Sequence, residues 1–169
     1  RTVLPDDLPF VTGPIGLLGS TASYAMMENC DALLMVGTSF PYAEWLPKEG
    51  QAKCVEIDVN AAMIGIRYPA DVLLVGDAKE TLTLLNERLK RKESRAWREE
   101  IEDRVREWWR VVEDRAMMDA NPMNPQRVVH ELSLRLPDDA IVTADSGSST
   151  NWWARQLKLR RGNLASLSG

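Results

Sequence analysis

The sequence predicts an α/β fold built on a parallel sheet, followed by the start of a second α/β unit. An apolar run at residues 32–36, an alternating segment at residues 53–59 and a short segment at residues 71–75 are typical of strands, and helical patterns precede and follow them. Strand and helix patterns that alternate at this spacing favour parallel strands with crossover connections. A break at Asn121–Pro125 then precedes a further helix, strand and helix, so we place a domain boundary near residue 120.

The first predicted helix follows an opening stretch, residues 1–12, that is rich in proline, lacks periodicity and is interpreted as a loop. Ser20 or Thr21 can cap this helix, which we expect to run through about Asn29. The next segment, Ala32–Val36, is apolar without interruption. Such a strand is typical of a parallel sheet that is covered on both faces.

Residues 53–59 alternate between polar and apolar side chains, which predicts the second strand, and residues 71–75 predict the third. Gly76 and Asp77 then open a helix. Its apolar residues keep helical spacing at Leu82, Leu85 and Leu89.

Residues 90–115 carry dense charge of both signs, with apolar residues recurring at helical intervals. This pattern predicts a solvated helix whose narrow apolar stripe packs on a neighbour, and partner binding is the alternative use of such a helix. Asn121–Pro125 interrupts the pattern and marks the domain boundary. Pro125 suits the first position of the next helix, which we expect to run to Leu136.

Residues 140–153 predict a short apolar strand, a turn of small polar residues and the start of a helix over Asn151–Leu159. The turn consists of Asp145, Ser146, Gly147, Ser148, Ser149 and Thr150. Such a turn directs free backbone N–H groups toward the space above the sheet, where phosphate-bearing ligands bind in α/β proteins. The alternative is that the hydroxyls only cap the helix, which is the commoner use of these residues. We expect that the sequence, which stops within residues 164–169, does not include a second strand–helix unit.

The carboxyl ends of the first two predicted strands form a second candidate site. Gly37-Thr-Ser-Phe-Pro41 follows one strand, and Asp58-Val-Asn60 ends the other. Glycine allows the backbone to approach a pyrophosphate, and a strand-end carboxylate can accept hydrogen bonds from ribose hydroxyls. Because the glycine spacing is not Gly-x-Gly-x-x-Gly, nucleotide binding and ordinary turn formation stay equal alternatives on these residues alone.

Composition argues against several classes of protein. The 169 residues suffice for one core, or for one domain and part of another. A net charge of −4 gives no electrostatic reason to expect nucleic acid or an anionic membrane as a partner. No apolar run approaches the roughly 20 residues that cross a bilayer, and the first residues do not form a signal peptide. We therefore expect a cytoplasmic location.

The sequence contains few cysteine and histidine residues, which often act in catalysis or bind metals. The two cysteines, Cys30 and Cys54, make neither a disulfide framework nor a four-thiolate zinc site, and we expect them to be small buried hydrophobes. The single histidine, His130, lies in an amphipathic pattern and is interpreted as structural. We predict no catalytic residue and no metal ligand within this chain.

Six segments together resemble one enzyme family. Asp145–Arg155 looks like the first strand–turn–helix of the diphosphate-binding domain in thiamine-diphosphate enzymes. Five others occur in the order and spacing of the central domain of pyruvate oxidase-like members: Gly13–Gly19, Ala32–Tyr42, Glu56–Asn60, Ile64–Pro69 and Val75–Lys79. The ordered set is far more specific than any one segment. The chain is identified by this resemblance as a member of the family, in the branch of pyruvate oxidase and quinone-linked pyruvate dehydrogenase.

The resemblance implies that the chain is an internal piece of a three-domain enzyme. Residues 1–120 would be a Rossmann-like central domain truncated at its start, and residues 121–169 the truncated start of the thiamine-diphosphate-binding domain. The complete enzyme would act on a 2-keto acid such as pyruvate, by oxidative decarboxylation or carboligation, as a homodimer or homotetramer. The family's catalytic glutamate and its magnesium-binding signature would lie outside this chain, so we expect the isolated piece to be inactive.

The resemblance also implies which residues meet cofactors. Those expected beside thiamine diphosphate are Asp145, Gly147, Ser148 and Ser149. Those expected beside FAD, in members that use it, are Gly16, Leu17, Gly37, Thr38, Ser39, Phe40, Pro41, Asp58, Val59 and Asn60. Magnesium is implied by the family, with ligands mostly outside the chain.

Three alternatives compete with this hypothesis. The chain could be a non-catalytic module that binds FAD or holds subunits together, or the complete protein could be an acetolactate synthase-like carboligase of the same family. An NAD-dependent deacylase has a related core, but it needs a catalytic histidine beside the nucleotide and usually four zinc-binding cysteines. One histidine in a different helix and two cysteines argue against the deacylase.

Overall fold

A computed structural model describes residues 3–167, and the chain divides into two compact units. The terminal unit comprises residues up to 24 together with those from 95 onward, and the middle unit comprises residues 25–94. The first helix, α1 (Thr21–Asn29), runs across this division. Its predicted start is confirmed: the Ser20 hydroxyl accepts a hydrogen bond from the Ser23 N–H at 2.9 Å, and the Ser23 hydroxyl accepts one from the Ser20 N–H at 3.2 Å.

The middle unit contains the predicted parallel sheet. Its strands are β1 (Ala32–Val36), β2 (Lys53–Asp58) and β3 (Val72–Val75), in that order across the sheet. Short 3₁₀ turns at Ala43–Trp45 and Ala61–Met63 lie in the connections. Helix α2 (Ala78–Arg88) follows β3, and its predicted start is confirmed because Asp77 caps it by accepting from two N–H groups, at 2.8 and 3.1 Å.

One core cluster of the middle unit lies on the face of the sheet that carries Leu33, Met35 and Cys54. It is formed by Leu33, Met35, Ala52, Cys54 and Tyr68. The expectation that β1 is covered on both faces is wrong for this unit, since Leu34 between the two buried residues of the strand is 48% exposed. An apolar run in the sequence does not show whether one face of a strand is covered or both. In the described residues, the second face of β1 is partly exposed.

The terminal unit contains three helices and a two-stranded parallel sheet. Helices α3 (Ala96–Ala116) and α4 (Pro125–Arg135) precede β4 (Ile141–Ala144), α5 (Ser148–Gln156) and β5 (Leu164–Leu167). The two strands pair in the register Ile141 with Leu164. The first strand–helix unit predicted for this half is therefore confirmed, while β5 is a strand that the sequence did not predict.

The charged helix α3 is confirmed, but it begins at residue 96 rather than near residue 90. The preceding segment includes Lys90, Arg91 and Lys92, and cations are unfavourable at the positive N-terminus of a helix. Part of the predicted apolar stripe is buried, with Val105, Trp108 and Val112 packed against Ala22, whereas Trp97 near the start of the helix is 39% exposed.

One residue joins α3 to α4. The Asn124 side-chain oxygen accepts from the Gln126 N–H at 3.0 Å and caps α4, where Pro125 takes the predicted first position. Its amide nitrogen donates to the carbonyl of Arg115 at 2.8 Å, near the end of α3. Asn124 thus serves two helix ends at once.

Of the two cysteines expected to be buried, one is buried and the other is only partly buried. Cys54 is fully buried, Cys30 and His130 are half-buried, and both thiols are free. Burial raises the pKa of both thiols, so neither favours the reactive thiolate. Within residues 3–167 there is no cluster of three or more potential metal ligands. None of the described helices combines the length and apolarity that crossing a membrane requires.

Candidate cofactor sites

The turn between β4 and α5 is built on Gly147. This glycine has φ of 97° and is the N-cap residue of α5, with no side-chain hydrogen bond capping the helix. A Cβ atom at this position would meet nothing within 4 Å. The positive φ, and not a lack of space, therefore calls for glycine.

The hydroxyls of this turn hold the backbone of Asp145 and leave the helix uncapped. Ser149 Oγ and Thr150 Oγ1 both donate to the Asp145 carbonyl, at 3.0 and 2.6 Å. The Asp145 carboxylate accepts from the Ser146 N–H at 2.8 Å. The alternative in which these hydroxyls only cap the helix is therefore wrong, because they act as donors to a carbonyl.

Helix α5 consequently begins three residues before the predicted start at Asn151 and ends at Gln156. It begins directly after the glycine, because none of the hydroxyl residues is used as the cap. It ends early because Leu157 is extended, and the side chains of Leu157 and Leu159 are buried with Leu136.

The four residues predicted to meet thiamine diphosphate lie together on this turn. Asp145, Gly147, Ser148 and Ser149 are all exposed. With no side-chain cap, the N–H groups of the first helical turn, which also carry the positive end of the helix dipole, are directed outward. The turn can therefore accept an anionic oxygen, and the Ser148 hydroxyl can add a donor.

The candidate FAD residues of the middle unit also lie together. Val36 pairs with Ile57, so Gly37 comes next to Asp58 at the carboxyl edge of the sheet. The Gly37 N–H continues the ladder by donating to the Ile57 carbonyl at 2.9 Å. Gly37 has φ of 54°, which turns the chain away from the strand. Thr38, Ser39, Phe40 and Pro41 follow in this turn.

Side chains at this edge shape the loop after β2. The Asp58 carboxylate accepts from the Asn60 N–H at 2.8 Å, and the Asn60 side chain accepts from the Ala62 N–H at 3.1 Å. Within residues 3–167, the Asp58 carboxylate accepts a hydrogen bond through Oδ1 and not through Oδ2. Oδ2 is therefore available to a ligand hydroxyl. Val59, which lies between Asp58 and Asn60, is 70% exposed.

The other two candidate FAD residues, Gly16 and Leu17, belong to the terminal unit. They lie on a compact turn between Gly13 and Ser20, which we call the glycine loop. Gly13 and Gly16 have φ of 82° and 88°. A Cβ atom on Gly19 would approach the Gly16 carbonyl oxygen to 2.8 Å, so this position admits only glycine without movement of the backbone.

Two polar residues with evident roles were not predicted from the sequence. Glu56 is 2% exposed, and its Oε2 accepts from the Gly65 N–H at 2.7 Å, which ties the loop after β2 to the strand. The polar and apolar alternation of residues 53–59 gave no signal, because it assigns Glu56 to the polar face of the strand. Arg155 donates to the Leu17 carbonyl at 2.6 Å across 138 residues of sequence, and no local pattern could have paired them.

Parallel strands that end in glycine turns define a Rossmann-like α/β class of protein. The family model described as "Thiamine pyrophosphate enzyme, central domain" matches residues 1–85. The chain belongs to the family of thiamine pyrophosphate enzymes.

Relatives extend the likeness along nearly the whole chain. The Bacillus subtilis (strain 168) protein named "Putative thiamine pyrophosphate-containing protein YdaP" is 38% identical over 159 residues, covering 94% of this chain and 27% of that protein. The Methanocaldococcus jannaschii "Probable acetolactate synthase large subunit" is 30% identical over 96% of this chain and 29% of its own length. The Lactiplantibacillus plantarum "Pyruvate oxidase" is 23% identical over 96% of this chain and 27% of its own length. This chain thus spans about a quarter of each relative.

Proposed function

We propose that the chain is part of a thiamine-diphosphate-dependent enzyme that acts on a 2-keto acid such as pyruvate, by oxidative decarboxylation or by carboligation. Family membership supports the cofactor, and relatives named pyruvate oxidase and acetolactate synthase support this range of reactions. The observation that carries the proposal is the turn at Gly147, whose exposed polar residues surround a helix start that no side chain caps.

The residues of this turn fit an anionic cofactor. The N–H groups of Ser148 and Ser149 open α5 and favour phosphate oxygens. Asp145 is better suited to accept a hydrogen bond from an amino group, because two anions in contact repel. When bound, thiamine diphosphate supplies the stabilisation of the carbanion that decarboxylation leaves behind. This chain would bind and orient the cofactor, and we assign it no catalytic residue and no magnesium ligand.

We further propose that the carboxyl edge of the middle unit binds FAD, as in flavin-containing members of the family. The backbone at Gly37 would approach the pyrophosphate, and Asp58 would accept from a ribose hydroxyl. The family resemblance also assigns Gly16 and Leu17, on the glycine loop of the terminal unit, to FAD. A non-catalytic FAD-binding module is the second candidate function, and the glycine turn beside Asp58 at the carboxyl edge favours it.

A flavin titration tests this part of the proposal. FAD fluorescence should be quenched saturably by the purified chain, and Gly37→Trp should abolish the quenching. Gly50→Trp is the matched control: Gly50 also has positive φ, 79°, and open space for a side chain, but it lies before β2, at the opposite edge. Equal loss in both variants, or no binding by the unaltered chain in its cooperatively folded state, would refute FAD binding.

A turnover assay tests the proposed role of the chain as one part of a larger enzyme. We expect the purified chain, given thiamine diphosphate, magnesium and pyruvate, to consume no pyruvate. Thiamine-dependent turnover would contradict this expectation. We also propose a cytoplasmic location, supported by the two free cysteines, and a homodimeric or homotetrameric complete enzyme.

A further inference from the structure

Several carbonyl groups in the glycine loop and just before it accept hydrogen bonds. Thr12 O accepts from the Ser20 hydroxyl at 2.5 Å, and Pro14 O accepts from the Ser23 hydroxyl at 2.7 Å. Gly16 O accepts from the Gly19 N–H at 2.8 Å. These donors lie in the loop or at the start of α1, so this part of the loop is organised locally.

The fourth held carbonyl differs because its donor is distant in sequence. Leu17 lies at the tip of the loop and is 73% exposed, yet its carbonyl accepts from Nη2 of Arg155 at 2.6 Å. Arg155 belongs to α5, the helix that begins at the candidate thiamine-diphosphate turn. The Arg155 side chain also lines a cavity of about 10 Å³ beside Thr12, Pro14 and Leu18, which has room for one water molecule.

The direction of each carbonyl decides the direction of the N–H group that follows it. A trans peptide points its N–H opposite to its C=O, and among the described residues only the Asn121–Pro122 bond is cis. Because the carbonyls of Gly16 and Leu17 are held within the protein, the N–H groups of Leu17 and Leu18 point away from those donors. Arg155 therefore sets the orientation of the peptide between Leu17 and Leu18.

We propose that Arg155 is a positioning residue for FAD: by holding the Leu17 carbonyl, it presents the N–H group of Leu18 to an acceptor oxygen of the dinucleotide. This inference rests on the proposed FAD binding. It assigns to α5, which begins at the candidate thiamine-diphosphate turn, a second role in holding the glycine loop. Lysine is a poor replacement, because arginine presents several donors in a rigid planar fork and lysine a single flexible ammonium group.

Titration of the purified chain with FAD tests the proposal through matched arginine variants. Arg155→Met should weaken binding about tenfold, equivalent to about 1.4 kcal/mol, and Arg155→Lys should recover part of the loss. Arg161→Met removes the same charge from an exposed residue of the same unit and should leave the affinity unchanged. Thermal melts of the same samples give the folded fraction of each variant. If Arg155→Lys and Arg155→Met are equally stable and lysine still recovers part of the FAD affinity, Arg155 acts by positioning and not by general stabilisation.

A second measurement needs no variant. In ¹⁵N-labelled wild-type chain, the amide resonance of Leu18 should shift on addition of FAD. If the wild-type chain binds FAD while this amide stays unchanged, or while Arg155→Met binds equally well, the role of Arg155 is refuted and FAD binding stands. If the folded wild-type chain binds no FAD, the proposed FAD binding fails, and the role of Arg155 fails with it.

Discussion

Asn124 should make a measurable contribution to stability, because one side chain caps two helices. Its oxygen caps α4, while its amide nitrogen donates to carbonyls of Arg115 and Ala116 at 2.8 and 3.3 Å. Loss of an N-cap costs about 1 kcal/mol, and loss of a hydrogen bond to a carbonyl costs about as much again. Asn124→Ala should therefore lower the free energy of unfolding by about 2 kcal/mol.

Urea unfolding followed by circular dichroism provides the assay. With a slope of about 2 kcal/mol per molar urea, the midpoint should fall by about 1 M. Asn86→Ala is the matched control, since Asn86 is exposed on α2 and the change improves helix propensity. Asn124→Asp keeps the acceptor for α4 but loses the donor to α3, so its effect should be about half as large.

Two results would refute this account of Asn124. A midpoint for Asn124→Ala equal to that for Asn86→Ala would show that neither cap matters. Equal destabilisation by Asn124→Asp and Asn124→Ala would show that the oxygen contributes nothing to α4, and that only the donor acts.

Three further predictions concern stability. Thr150→Val removes the hydroxyl that donates to Asp145 at 2.6 Å and should cost about 1 kcal/mol, whereas Thr143→Val, at an exposed position on β4, should be neutral by the same urea assay. Gly19→Ala places a methyl group 2.8 Å from a backbone oxygen and should cost about 1–3 kcal/mol; a melting temperature equal to wild type would contradict this. The hydrogen bond from Lys53 lowers the pKa of Asp71, so its stabilisation is present above the ordinary aspartate pKa of about 3.9 and is lost as pH falls through the lower folded value. Asp71→Asn should flatten the acid decline of the urea midpoint, and an unchanged decline would count against the ion pair.

Elements with local signals were predicted well. Asp77 and Pro125 mark helix starts through chemistry that acts within three residues, and both occupy the positions expected of them. The apolar stripe of α3 likewise follows from helical periodicity alone. These signals are local because capping and periodicity depend only on the neighbouring backbone.

Features that depend on distant partners were missed. Strand β5 is recognisable only through its pairing with β4, since Leu164–Leu167 is too short to show a period. The start of α5 depends on whether serine hydroxyls accept from the helix or donate to Asp145, and both uses are open to the same residues. The bond from Arg155 to Leu17 spans 138 residues. The glycine loop was predicted as a site, but what holds it in shape was not.

The compact units and the predicted domains divide the chain at different places, for a physical reason. Asp6 and Leu159 exchange two hydrogen bonds, at 2.7 and 2.9 Å, and Asp6 is 3% exposed. This pairing joins the first residues to the segment after α5, so contacts group them in one unit. The predicted boundary near residue 120 instead follows from the break at Asn121–Pro125 and stays a prediction. Removing residues 1–12 should therefore destabilise the terminal unit, even though the sequence marks them only as a loop.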